Sequence, residues 1–440
     1  MQAYYRNAYL TISALDSPDS HHGFLNQRKN VPYVKLTSDK NLYLRRRLPE
    51  QHEVFKNALL SRRAWVLQER LLSTRLLHYS SQELFWECLT CSNRESSLEE
   101  RAGDVDPSSV ILSEGDDFKR IFTTLLKSSP ASRNTDAMVI WYRVMIQYSR
   151  KAMTRSSDKF PAISGIASAI HSVTGYSYIA GIWKEDPEGL LWFSDSVPDH
   201  QEGYIAPSWS WASSGAVSMR YGYEQTITSE NDAEIINGHA ENIGAGNFGQ
   251  VSNASITLRA HTTDICYQLS QYKHRLNDKP WSMIGFETHR GQDIDLYMTA
   301  SLGFGKGVLD VHDEELTFAN GQLEKLSESS DDPVEILRPN FSNPKHNQDF
   351  KYRLYHPSLS MKRCMAIWIR MRVGEADSYM GGCENDKKGW SSVLREVLYC
   401  LLVVEDEVQK GKWRRIGIAR APLKYITLCE WSKKRNIVFV

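Results

Sequence analysis

Arg62, Trp65, Glu69 and Leu72 follow one another at spacings of three, four and three. A helix through them therefore sets a guanidinium, an indole and a carboxylate along one stripe, with Ala64, Leu67 and Leu71 on another. The polar face of a plain amphipathic helix is usually Lys and Glu, so this stripe admits two readings. Glu69 is a carboxylate in a ligand site, oriented by Trp65 and balanced by an arginine. Alternatively, Glu69 pairs with Arg62 or Arg63 and closes over the packing of Trp65. Buried ion pairs and functional carboxylates both perturb pKa values, so burial alone does not separate the two.

Other chemical signals are weaker. Cys88-x-x-Cys91 offers half of a zinc site, but there is no second pair at ligand spacing, and His78 does not complete four ligands; the pair reads as structural and no metal is expected. Gly244-Ala-Gly-Asn-Phe-Gly249 fits the dinucleotide pattern of glycines. It lacks the strand before and helix after that would hold a pyrophosphate, so it reads as a loop. Lys410-Gly-Lys-Trp-Arg-Arg415 mixes basic and aromatic residues but lies between two expected strands and reads as a solvated hairpin turn. Phosphate-loop and nucleophile-elbow patterns are missing. No cofactor is expected.

Ser61 is the expected N-cap of a helix over 64–72. Residues 76–79 and 84–86 then read as a hairpin around Ser80-Ser-Gln-Glu83. Residues 9–14 read as a buried strand, being crowded with β-branched and aromatic side chains, and Asp16 to Gly23 as a loop. A weak alternation over 31–44 suggests a strand pair, and 51–60 a helix. Residues 94–113 read as a polar surface connection. Helices are expected over 118–128, 136–151 and 160–173, the last with Pro161 near its start. Pro207-Ser-Trp-Ser-Trp-Ala212 places Trp209 and Trp211 on one strand face, in a core. After Trp211, short apolar runs at 255–259, 307–311, 364–370, 399–404 and 415–419 are separated by polar and glycine-rich stretches. They predict a β-rich region.

These residues carry a resemblance. Arg63-Ala-Trp-Val-Leu-Gln-Glu-Arg-Leu-Leu-Ser73 resembles the last block of the fungal heterokaryon-incompatibility (HET) domain, Arg-x-Trp-x-Leu-Gln-Glu. Tyr5-Arg-Asn-Ala-Tyr-Leu-Thr-Ile-Ser-Ala14, with Asp16-Ser17, Gly23-Phe-Leu25 and Arg28, is similar to the block before it. The segments at 158–167, 178–183, 190–192 and 207–212 resemble what commonly follows that domain. The family's opening blocks, Tyr-x-Ala-Leu-Ser-Tyr-x-Trp-Gly and Asp-x-x-Cys-Ile-x-Gln, have no counterpart here.

The resemblance implies an α/β fold, a partial HET domain with a TIR-like or flavodoxin-like remnant, over 1–95. A helical connection with a Trp-rich segment follows over 96–215, and a β-rich α+β C-terminal domain over 216–440. It implies a signalling or interaction module of fungal non-self recognition and programmed cell death, in truncated form, with other proteins of the incompatibility pathway as partners. The same family is distantly linked to Toll/interleukin-receptor domains, some of which cleave NAD with a glutamate. On that alternative Glu69 is catalytic and Arg62, Arg63, Trp65 and Gln68 bind the ligand. The missing blocks also admit a non-functional gene fragment.

Composition sets the outer limits. The chain has 440 residues, enough for two or three domains with a sizeable core. Hydrophobic residues at 41% and charged residues at 24% are ordinary globular values and argue against global disorder. Lys plus Arg equals Asp plus Glu, 53 each, so no whole-chain field draws nucleic acid or an acidic membrane. Seven cysteines, an odd number, fit a reducing compartment better than a disulfide framework. With no signal peptide and no apolar run of about 18 residues, a cytoplasmic location is expected.

Overall fold

A computed structural model describes residues 2–25, 33–35, 43–101, 118–125, 133–194, 203–219, 226–244, 246–269, 292–297, 303–309, 335–336, 352–353, 362–375, 394–422 and 432–440. The chain is mixed α/β and divides into two compact units, one of residues 1–178 with 242–251, the other of 179–241 with 252–440. The expected divisions at 95 and 215 do not coincide with these limits. Most of the connection expected at 94–113 lies outside the described residues.

In the first unit α1 (Gln2–Asn7) leads into β1 (Thr11–Ala14). β2 (Tyr33–Lys35) and β3 (Tyr43–Arg45) form the antiparallel pair expected over 31–44. α2 (Gln51–Asn57) starts with a reciprocal cap between Glu50 and Glu53. A single 3-10 turn over Leu60–Arg62 precedes α3 (Ala64–Leu72). β4 (Arg75–Tyr79) and β5 (Leu84–Cys88) are the expected hairpin, extended by β6 (Ser92–Arg94) and β7 (Ser97–Arg101). The sheet order is β1-β4-β5-β6-β7. Only β1 runs parallel to its neighbour, because the segment containing α3 returns the chain to the same edge before β4.

Alternation along β4 and β5 buries Leu76, His78, Phe85 and Glu87 on one face and leaves Leu77, Tyr79, Leu84 and Trp86 half-buried on the other. Phe55 and Ala58 pack with Phe85 and Leu15 in the covered core. α4 (Phe118–Leu125), α5 (Arg133–Ser149) and α6 (Ser164–Thr174) complete the unit. α5 is buried nearly all round through Ala137, Ile140, Trp141, Val144 and Tyr148, as expected of a helix with neighbours on every side. Gly175, at φ 73°, ends α6 in the left-handed conformation.

Several expectations are corrected. The strand expected over 9–14 starts only at Thr11 and is an edge strand, with Ile12 52% exposed and Tyr9 before it 82%, because among the described residues β4 is its one hydrogen-bonded neighbour. Ser61 does not cap α3; it lies in the 3-10 turn, and the cap position belongs to Arg63 without a side-chain bond. Arg62 therefore precedes the helix and does not extend the Trp65–Glu69–Leu72 stripe. Pro161 lies in the turn before α6. Trp209 and Trp211 are fully buried, but they sit around a 3-10 turn over Trp211–Ser213 instead of on a strand.

The second unit is β-rich, and the apolar runs expected after Trp211 fall on strands, save that 310–311 of the run at 307–311 lie outside the described residues. Thr262–Leu269, Gln292–Tyr297, Gly303–Leu309, Lys412–Pro422, Leu394–Glu405 and Lys362–Glu375 pair in that order, all antiparallel, and the last pairs with the first. This closed ring of six strands leaves neither edge free. The turn at Lys410 is a hairpin as expected, but Arg415 is buried. Its guanidinium lies 3.6 Å from the Trp192 ring centre and donates to Leu190 O and Trp192 O. The glycine-rich run at 244–249 joins strands Glu234–Asn242 and Val251–Ala260. Among the described residues no helix is long and apolar enough to cross a membrane.

Candidate functional site

The stripe that drew attention in the sequence is divided among several packing partners. Glu69 is half-buried, and the nearby Tyr5 hydroxyl on α1 and Arg63 favour its charged form. Burial outweighs both and raises its carboxyl above the ordinary value. Burial and the Glu69 carboxylate together push Tyr5 up to about 12. Trp65 is half-buried and its Nε1 donates to Asp158 Oδ2 at 3.2 Å, not to Glu69.

Gln68 is 1% exposed, and its Oε1 accepts the Gly165 N–H at 2.6 Å. That N–H belongs to the first turn of α6, where no intrahelical acceptor exists. Arg62 and Arg63 are exposed, and their backbone pairs with Ala152. Thus Tyr5 and Arg63 act on Glu69 through electrostatics, whereas Trp65 and Gln68 bond to Asp158 and Gly165 and Arg62 is exposed.

A denser polar cluster lies on the covered face of the sheet. Glu87 is 1% exposed. Arg70, one residue past Glu69, donates through Nε to Glu87 Oε2 at 2.8 Å and through Nη2 to Oε1. His78 Nε2 is 3.0 Å from Glu87 Oε2, and Gln51 Nε2 donates to Oε1 at 3.4 Å. The Arg70 guanidinium also rests 4.3 Å from the Phe55 ring centre, and Phe55 packs edge-on against His78. Lys119 from α4 donates to Arg70 O at 2.7 Å and to Ser73 O, closing the C-terminal end of α3.

Charge balance in this cluster follows from the contacts. Burial alone would raise Glu87, but Arg70 and His78 outweigh it and hold the carboxyl well below the usual range. Burial lowers His78 despite the pull of Glu87. Burial also lowers Lys119, to about 8, against the attraction of Glu87. His78 is therefore neutral at pH 7, and Nε2–H is the tautomer that can donate to Glu87. Its Nδ1 is buried without a hydrogen-bond partner among the described residues.

The alternation Leu76-Leu-His78 against Phe85-Trp-Glu87 was the available signal for this cluster, since it puts His78 and Glu87 on one face. The sequence reading missed their pairing with Arg70, because the register across the hairpin and the rotation of α3 are tertiary facts. Among the described residues no group of three or more His, Cys, Asp or Glu side chains could hold a metal ion. Comparisons with protein-family models, with curated proteins and with solved structures give no match in any of the three.

Proposed function

We propose that the chain is an interaction module of the heterokaryon-incompatibility type, with a TIR-like first unit, which signals by binding other proteins of that pathway in the fungal cytoplasm. The observation that carries this reading is the edge that β1 leaves unpaired among the described residues of the five-stranded sheet. Ile12 is exposed on β1 and Tyr9 just before it, and Leu77, Leu84 and Trp86 stand half-buried on the same side of the sheet as Ile12. An edge of this kind presents backbone donors and acceptors together with apolar side chains, which suits an added strand from a partner protein. Expression in a filamentous fungus tests it. Growth arrest that is lost in Ile12→Lys supports the reading, and arrest that Ile12→Lys leaves intact overturns the edge as the signalling surface.

A second reading, cleavage of NAD by Glu69, is favoured by one observation: Glu69 is half-buried, and burial raises its carboxyl against the opposing influence of Tyr5 and Arg63. Such a group is suited to general acid–base work. Incubating the protein with NAD and following nicotinamide release decides it, and turnover unchanged in Glu69→Gln would end the assignment. The geometry favours the interaction reading, because two of the expected ligand residues are already bonded within the fold, Gln68 through Oε1 to Gly165 and Trp65 through Nε1 to Asp158.

A further inference from the structure

β5 ends at Cys88 and β6 begins at Ser92, so the connection between them carries the second cysteine of the pair. Cys88 N–H donates to Cys91 O at 2.9 Å, which makes Cys88 and Cys91 the closing pair of a two-residue hairpin turn. Their sulfurs are 3.4 Å apart. The Cys91 N–H points at Cys88 Sγ at 3.3 Å, and the Thr90 hydroxyl lies 3.2 Å from the same sulfur. Both cysteines are half-buried, whereas Cys364 and Cys400 are buried in the second unit.

We propose that Cys88 and Cys91 form a thiol–disulfide exchange site whose substrates are small peptide disulfides, with Cys88 as the nucleophile and Cys91 as the resolving thiol. Hydrogen-bonded opposite residues of a hairpin have Cα atoms about 5.5 Å apart, inside the range of about 4.4–6.8 Å that a disulfide spans. The turn therefore already brings the two sulfurs within reach of a bond, and side-chain rotation supplies most of the remaining approach. Burial alone would raise the Cys88 thiol. The bonds from Thr90 and from the Cys91 side chain and backbone outweigh it and bring Cys88 down to about 7. This raises the share of reactive thiolate at neutral pH above that of an ordinary cysteine.

The exchange balances without a further reagent. The Cys88 thiolate attacks one sulfur of the substrate, forming a mixed disulfide while the substrate S–S bond breaks and its other half leaves as a thiolate. That thiolate takes up the proton Cys88 had released. Cys91 then loses its proton, attacks Cys88 Sγ and expels the second half, which is protonated in turn. Two protein thiols are oxidised to one disulfide, and one substrate disulfide is reduced to two thiols. This site is independent of the function proposed above.

The test uses the full chain and oxidised glutathione at pH 7, quenched with acid and mapped by mass spectrometry. The peptide holding both cysteines should lose two hydrogens, and Cys91→Ser should instead accumulate glutathione on Cys88. Separately, alkylation of Cys88 in the wild-type protein should show a pH midpoint near 7 and run at least about three-fold faster at pH 7 than alkylation of Cys91 in Cys88→Ser. Wild-type protein that keeps glutathione on Cys88 without closing the bond overturns Cys91 as resolving thiol. A Cys88 midpoint at the ordinary value of about 8.5 overturns Cys88 as nucleophile. That measurement needs no variant to fold.

Discussion

Arg70 meets Glu87 through two nitrogens and two oxygens, joining the last turn of α3 to the open end of the β4–β5 hairpin on the covered face of the sheet. A fork-on-fork pair of this kind fixes orientation as well as distance. Removing one partner leaves a charge in a place that water does not reach. Arg70→Leu should therefore cost about 3–5 kcal/mol. Arg70→Met combined with Glu87→Leu should recover most of that loss, because two apolar side chains leave no orphaned charge. Urea unfolding of the single and double variants measures both. A double variant as unstable as Arg70→Leu would show that the pair holds the fold by more than charge compensation.

The same cluster gives the unit a defined response to acid. His78 is held below its ordinary value of 6.5. As pH falls through 6.5 the unfolded chain therefore takes up a proton that the folded chain refuses, and stability drops. Protonation would also place a new donor at Nδ1, which is buried without an acceptor among the described residues. Glu87 adds a second loss below its ordinary value of 4.5, where the unfolded carboxyl is protonated and the folded one is still charged. Arg70, and Lys119 at about 8, stay cationic throughout. Unfolding midpoints between pH 7 and 5 should fall in the wild type, and this fall should flatten in His78→Gln. An equal slope in both would mean that His78 titrates freely in the folded state.

The local pattern was readable, and the pairing between elements was not. α3 starts and ends at the residues its helix formers predicted, since Ala64 to Leu72 contains no breaker. The strands of the second unit fall on their apolar runs for the same kind of reason. By contrast, nothing in the spacing of Trp65 shows that its indole reaches Asp158, 93 residues away. The segment at 207–212 alternates like a strand, yet Ser210 caps a 3-10 turn by accepting the Ala212 N–H at 3.2 Å, a competition that alternation does not register. Arg415 read as solvated because it stands among the basic residues Lys410, Lys412 and Arg414. Its burial depends on carbonyls at Leu190 and Trp192, more than 200 residues distant.

Gly165 tests how closely α3 and α6 approach. A Cβ there would lie 2.8 Å from Gln68 Oε1, 2.8 Å from Leu72 Cδ1 and 3.1 Å from Gln2 Cβ. Helix propensity alone favours alanine by about 1 kcal/mol. The contacts act against it: Gln68 must stay within reach of the Gly165 N–H, and Leu72 is buried. Overpacking of this kind costs about 1–3 kcal/mol, so Gly165→Ala should come out neutral to destabilising despite its propensity. A stabilised variant in thermal unfolding would mean that the two helices separate easily.

β1 offers the last contrast, because it is half inside the fold and half outside it. Its Thr11 and Ser13 sit opposite Leu76 and His78 in the parallel register, and Thr11 Oγ1 lies 2.9 Å from Ser73 Oγ, so this side of the strand belongs to the core. Ile12 points the other way and is 52% exposed. Ile12→Lys should therefore change stability by no more than about 0.5 kcal/mol, the usual range for a surface position. Leu76→Ala, on the buried side of β4, should cost about 2–5 kcal/mol. The lysine would still disfavour a strand added along the edge, since a charge at an open edge blocks pairing. Ile12→Lys thus separates folding from partner binding: unfolding midpoints should hold while growth arrest in the fungal assay is lost. A large drop in stability for Ile12→Lys would place that side chain in the core after all and remove the open edge on which the interaction reading rests.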